Sequence, residues 1–418
     1  MRNIYRVATI ILLLSGRGYG QQTGQSDGEA IQQLLQQVRE LQQRVQALET
    51  ERTTKASSPP SPVTTQTLDS ELQAMRDSPA FHELHGIQWR GFGEVDYKVL
   101  NQKIPELGTF GFVPGSAGSF YIGDFDLLLT SRLNDKASVL AEVVFGEEDA
   151  QTFNVDLERA LFKYDYNDHL RMSFGRYHTG VGYYNSAFHS GSWLQTTADR
   201  PLVMEFADDG GILPTQAVGV SVTGQIPSGG IGLNYTAEYG SSDTIRPQIN
   251  NSGLSVDENN GNHINLGLFL RPSSIAGLQI GASFYHDKIS DFEKGPSVRL
   301  GQTIVNAHVV YVAHGMEFLN EGFLVRHSYE ASQTVFNMPA FYSQLSRRFA
   351  RFRPFIRYQY INANQNSIFS DVLLRHGPSF GLRYDFNDFV AFKAQFDHMI
   401  RKDQPALDGL HLQLAFTF

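Results

Sequence analysis

The chain of 418 residues contains no cysteine. That absence excludes a disulfide framework, thiolate metal sites, a cysteine nucleophile and lipid attachment at an N-terminal cysteine. Charged residues are scarce at 18 %, and no apolar run approaches the roughly 18 residues that a membrane helix needs. Any bilayer crossing must therefore be built from strands. Positive charge is in deficit as well: 34 Lys+Arg against 43 Asp+Glu leave a net charge of -9, too acidic for a chain that coats nucleic acid, and no such partner is expected. What the chain has instead is 30 Phe, 18 Tyr and 38 Gly, a greasy composition for a soluble protein.

The N-terminal part divides by composition. Arg2 and Arg6 precede an apolar run at 7–14, and small residues follow at Gly16, Gly18 and Gly20, the order of a secretory signal peptide over 1–20. Ile31, Leu34, Val38, Leu41, Val45 and Leu48 then fall at alternating steps of three and four, the a/d seam of a short coiled-coil helix over 28–52. β-Branched residues at a favour two strands, while Leu35 widens the stripe enough to permit three. Residues 53–68 are rich in Ser, Thr and Pro and read as an extended linker, and 69–85 form a connector on the periplasmic side.

From residue 86 to 418 the helical period gives way to a period of two. Leu410, Leu412, Leu414, Phe416 and Phe418 share one face, with His411, Gln413, Ala415 and Thr417 on the other. Strands are expected near 86–100, 119–132, 137–147, 153–166, 169–177, 215–226, 230–241, 262–271, 277–287, 302–313, 316–327, 335–346, 351–362, 376–386, 388–400 and 409–418. That makes sixteen, or eighteen if the stretch after Tyr177 hides a hairpin. Short connections (133–136, 166–168, 227–229, 272–276, 314–315, 347–350, 387) alternate with long ones (101–118, 178–214, 242–261, 288–301, 363–375). Loop lengths sorted by parity and an even strand count are the pattern of an all-β, transmembrane antiparallel barrel in the bacterial outer membrane. Its surroundings would be outer-membrane lipid.

Local motifs add a resemblance. The run Leu157-Glu158-Arg159-Ala160-Leu161-Phe162-Lys163-Tyr164 leads into Leu170-Arg171-Met172-Ser173-Phe174-Gly175-Arg176-Tyr177. Together with Gln344-Leu345-Ser346, Arg353-Pro354-Phe355-Ile356-Arg357-Tyr358 and the terminal Phe418, it resembles trimeric outer-membrane porins of the phosphate-selective type, which carry a coiled coil before a sixteen-stranded barrel. The resemblance implies a homotrimer, passive diffusion of small anionic or polar solutes, and Phe418 as the signal read by the barrel assembly machinery.

In a barrel of this size the interior stays wet, and the charges lining it govern what passes. Taking the polar face as lumenal, the acidic lining is Glu94, Asp96, Asp124, Asp126 and Glu142. The basic lining is Arg159, Lys163, Arg171, Arg351, Arg353, Arg357, Arg383 and Lys393. Arg351, Arg353 and Arg357 share one parity and form a ladder, and guanidinium suits bidentate contact with carboxylate or phosphate, so an anion preference is expected. Arg351 and Arg353 have the alternative of capping the rim beside Arg347 and Arg348. The segment 178–214, with Asp199, Arg200, Glu205, Asp208 and Asp209, is too long for an ordinary outer loop and reads as folding inward as the constriction, or else as a surface lid.

Other chemistry finds less support. His82-Glu83-Leu84-His85 lacks zinc-protease spacing and a third ligand, so no metal site and no cofactor is expected. No Ser, His and acid constellation can be assembled, so no enzyme is expected. The competing reading is a structural tether or adhesin, its barrel plugged and its coiled coil the working part.

Overall fold

The computed structural model describes residues 86–102, 117–149, 152–189, 191–204, 212–242, 262–290, 298–370 and 372–418. The expected signal peptide, coiled coil, linker and connector lie outside the described residues, as do Glu205, Asp208 and Asp209.

Sixteen antiparallel strands close into one barrel, each paired with its sequence neighbours and β1 with β16. They are β1 Ile87–Leu100, β2 Ala117–Arg132, β3 Ala137–Asp149, β4 Thr152–Asn167, β5 Leu170–His178, β6 Gln216–Gln225, β7 Leu233–Ser242 and β8 His263–Leu270. The second half comprises β9 Leu278–Ser290, β10 Arg299–Ala313, β11 Met316–Tyr329, β12 Val335–Arg347, β13 Phe352–Asn362, β14 Leu374–Asp385, β15 Val390–Arg401 and β16 Gln404–Thr417. The described part of the stretch after β5 holds no strand, so the eighteen-strand alternative falls away.

Two boundaries moved for local reasons. β16 begins at Gln404, several residues earlier than expected, because Asp403 takes a left-handed φ of 59° and lets the chain reverse in two residues. The connection between β15 and β16 is thus as tight as the His314-Gly315 turn on the other end, where both residues have positive φ, as a type I′ turn requires. β13 begins at Phe352 because Ala350, at φ 53°, closes a turn bridged by Phe349 and Phe352.

Alternation sorts the side chains. Trp89, Phe120, Phe162, Phe284 and Phe380 stand exposed on the outer surface, an apolar exterior suited to lipid. The inner face departs from expectation on one side. On β14, β15, β16 and β1 it is polar, but on β10, β11 and β12 it carries Leu300, Ile304, Val310, Leu319, Phe323, Val325 and Met338, all buried. These inward apolar residues, interspersed with Gln302, Asn306, Glu317 and Glu321, meet the β5–β6 connection, whose Tyr184, Phe188, Leu202 and Met204 pack inside the barrel as one core with them. Ile368, Phe369 and Val372 of the β13–β14 connection join the same core. Each such side chain contributes about 1.5–3 kcal/mol relative to exposure, so water is not the partner of this half of the wall.

Candidate functional site

The β5–β6 connection turns into the lumen directly after His178. Gly182 at φ 86° and Gly191 at φ 83° bracket a short helix, α1, Tyr183–Phe188. A Cβ on Gly191 would stand 2.6 Å from the Phe92 ring on the wall, so only glycine lets the backbone come this close. Five of the six α1 residues are buried, the exception being Ser186.

An inserted segment of irregular backbone must find partners for its amides, and here the wall supplies them. Carboxylates and side-chain amide oxygens accept from its N–H groups. Glu238 Oε2 on β7 accepts from Gly180 N at 3.0 Å. Glu321 on β11 accepts from Tyr183 N at 2.6 Å and Tyr184 N at 2.8 Å. Gln395 Oε1 takes Ala198 N and Gln359 Oε1 takes Leu202 N, each at 2.9 Å. Cations donate to its carbonyls. Lys393 Nζ donates to Ser192 O at 2.6 Å and Thr197 O at 3.0 Å. Arg383 Nη1 donates to Trp193 O at 2.7 Å and Gln195 O at 2.8 Å, and Arg357 Nη1 to Asp199 O at 2.9 Å. Arg353 Nη1 donates to Thr196 Oγ1 at 3.1 Å.

Asp199 occupies the seam of the barrel. Its Oδ1 lies 3.1 Å from Lys98 Nζ on β1 and 2.9 Å from His411 Nδ1 on β16, two residues that face each other in the β1–β16 register. Burial alone would raise this carboxyl, but the neighbouring Lys98 and His411 outweigh it and hold it well below the usual carboxylate range.

The expected basic residues separate into groups. Arg353, Arg357, Arg383 and Lys393 come together on β13, β14 and β15 around Ser192–Leu194 and the residues that follow it, and their donors are engaged by the segment. Arg351 does not join them. It lies exposed in the turn before β13, since the strand starts only at Phe352. Arg171 sits beside the β4–β5 turn, paired with Asp168 at 3.0 Å, and Lys163 lies in register between Ser138 and Ser173. Arg159 makes a buried ion pair with Glu142.

The acidic residues occupy β1, β2 and β3, which adjoin the basic strands through β16. Asp126 is buried, and Asp96 Oδ1 lies 2.7 Å from His411 Nε2. Glu94 Oε1 accepts from Asp124 N at 3.4 Å. The Asp124 carboxylate faces Arg200 at 3.8 Å and keeps 44 % of its side chain exposed, which makes it an accessible charge beside the segment. Arg200 also donates to His189 O at 3.2 Å.

Sequence reasoning missed Lys98, Glu238, Glu317, Glu321, Gln359, Gln395 and His411. Lys98 shares parity with Glu94 and Asp96, and His411 lies on the face assigned as polar, so parity could have found both. Glu317 and Glu321 sit among the apolar inner residues of β11, where an isolated carboxylate four positions from another marks a partner coming from elsewhere. A second cluster also went unseen: Glu158, His178 and His189 converge where the segment leaves the wall.

No family model matches the chain, and no curated protein matches it. Solved structures do. The chain is similar to an anion-selective porin from Comamonas acidovorans at 10 % identity and a TM-score of 0.53, over 80 % of this chain and 99 % of that one. It is similar to OmpT, an outer-membrane protein of Vibrio cholerae, at 10 % identity and a TM-score of 0.52, over 79 % and 97 %. OmpF of Salmonella typhi, in complex with daunomycin, matches at 13 % identity and a TM-score of 0.51, over 79 % and 97 %. At these identities the likeness is one of fold, and that fold is the closed sixteen-stranded barrel of outer-membrane proteins.

Proposed function

We propose that the chain is an outer-membrane porin, a channel through which small hydrophilic solutes diffuse, with its bore set by the segment between β5 and β6. The observation that carries this reading is the segment itself: it lies within a closed barrel and is held there by charged side chains of the wall. A wall whose only task was to enclose a core would not need cations and carboxylates on its inner face, each costly to bury unless partnered. The solved porins of the same fold support the reading.

Ion preference follows from field rather than contact. Arg383 is paired with Asp385 at 2.7 Å, but the donors of Arg357 and Lys393 are engaged by carbonyls, whose dipoles do not cancel their charge, so the lumen beside β13 and β15 stays favourable to anions. The exposed Asp124 works against it, so we propose a weak anion preference for organic acids or phosphate. A homotrimer with the coiled coil in the periplasm completes the proposal. The tether reading draws on a specific observation, the burial of inward polar side chains such as Gln302, Arg357, Ser379 and Lys393, which leaves little free lumen around them.

One experiment separates the two. The full-length protein is inserted into planar bilayers under opposed salt gradients. Discrete conductance steps with a reversal potential on the anion side are expected. Sealed bilayers at protein densities that give insertion by an independent assay would overturn the channel and leave the tether.

A further inference from the structure

Glu158, His178 and His189 form a compact set of donors that neither the barrel nor the proposed channel requires. Glu158 is the extra residue of a bulge in β4, where the register with β3 skips from Arg159 to Leu157. His178 ends β5, and His189 follows α1 directly. Their donor atoms all lie within 4.8 Å of one another. Both imidazole Nε2 atoms converge on the same carboxylate oxygen, at 3.0 Å from His178 and 2.5 Å from His189, and the two rings stand 4.2 Å apart. The three side chains are buried, at 5–7 % exposure.

We propose that these three residues bind a divalent transition-metal ion of the zinc, cobalt or nickel kind. Two imidazole nitrogens and one carboxylate are the donor set that such ions prefer over calcium or magnesium, and three protein ligands leave a position for water. Metal–ligand distances of about 2.0–2.2 Å require donor atoms about 3–3.5 Å apart, close to what the cluster already presents. The charges facing it allow a cation. Arg159 is paired with Glu142, Arg176 with Asp156 at 3.4 Å, and Arg200 faces Asp124 at 3.8 Å, so each of these guanidinium groups has a carboxylate beside it. The ligands also come from different parts of the fold. Two belong to the wall and the third to the inserted segment, so a bound ion ties the end of α1 to β4 and β5. This assignment does not depend on whether the barrel conducts.

The test uses the full chain, free of tag histidines, stripped with a chelator and titrated with Zn²⁺ in detergent by calorimetry. One Zn²⁺ per chain is expected, with affinity falling roughly tenfold or more in His178→Ala and in His189→Ala, since each removes a ligand. The double variant His82→Ala, His85→Ala should bind as the parent does. Absence of stoichiometric binding, or loss of binding in the His82/His85 variant with His178 and His189 variants unaffected, would overturn the site. Because a variant could fail to fold, Co²⁺ is added to the parent protein as well. Visible absorption bands of the intensity given by low-coordinate nitrogen and oxygen ligation are expected, and only the weak spectrum of hydrated Co²⁺ would refute the proposal.

Discussion

Replacing Lys393 by methionine keeps the length and most of the volume of the side chain while removing its ammonium. Lys393 is wholly buried and donates to Ser192 O and Thr197 O. The variant therefore leaves two carbonyls of the inserted segment without these donors, at about 1–3 kcal/mol each. Relief from burying a cation offsets part of that loss. A net weakening of about 3 kcal/mol is expected, equivalent to a roughly 150-fold rise in the population of a detached segment. The barrel wall keeps every strand-to-strand hydrogen bond, so heat-modifiable migration on gels should not change. Single-channel recordings should show higher conductance with frequent switching between levels, and protease should cut within 192–204 in the variant before it cuts the parent. Arg351→Gln, altering an exposed turn residue, serves as the control and should behave as the parent. If Lys393→Met gives the same conductance, noise and protease resistance as Arg351→Gln and the parent, Lys393 does not hold the segment and the reasoning fails.

Glu321→Ala removes the acceptor of two α1 amides and of the Tyr342 hydroxyl. It should loosen the start of the segment by about 2–4 kcal/mol, read as faster proteolysis near 180–189 with the barrel intact. The folded-state acidity of Asp199 sets a pH expectation. A carboxyl held below its usual range stabilises fully above the ordinary value near 3.9 and loses that contribution only as pH falls through the lower folded value, so proteolytic protection of the segment at about pH 4.5 should match that at about pH 5.5. The Phe418 ring stacks on Phe125 at 5.8 Å and remains 60 % exposed, so Phe418→Ser should reduce insertion in cells while shifting the melting of the inserted fraction little; normal insertion would contradict this. Deleting 28–52 should convert a trimer to smaller species by light scattering, and an unchanged mass would remove the coiled coil from the assembly argument.

The strands were legible because each reports itself locally. Leu410, Leu412 and Leu414 alternate with His411 and Gln413 whatever the rest of the chain does, and sixteen such segments fix the barrel. What parity cannot show is what the inner face meets. Arg357, Arg383 and Lys393 donate to carbonyls at 192–199, well over a hundred positions away in sequence. Parity alone gives the inward Val310 and Leu319 no partner, because the apolar part of the inner wall makes sense only once Tyr184 and Phe188 lie against it. The Glu158, His178 and His189 cluster was hidden for the same reason, since His189, eleven residues beyond His178 and thirty-one beyond Glu158, comes near them only through the turn of the chain into the lumen.

Asp199 bonds to Lys98 and His411, and those two residues belong to the first and last strands. A barrel of consecutive hairpins has one joint that no hairpin makes, the joint between β1 and β16. The segment that carries Asp199 can be fully seated only when both edges have arrived, and once seated it clasps them from within. Closure of the cylinder and narrowing of its interior are thereby linked, because the contacts of Asp199 are complete only in a chain whose first and last strands have met.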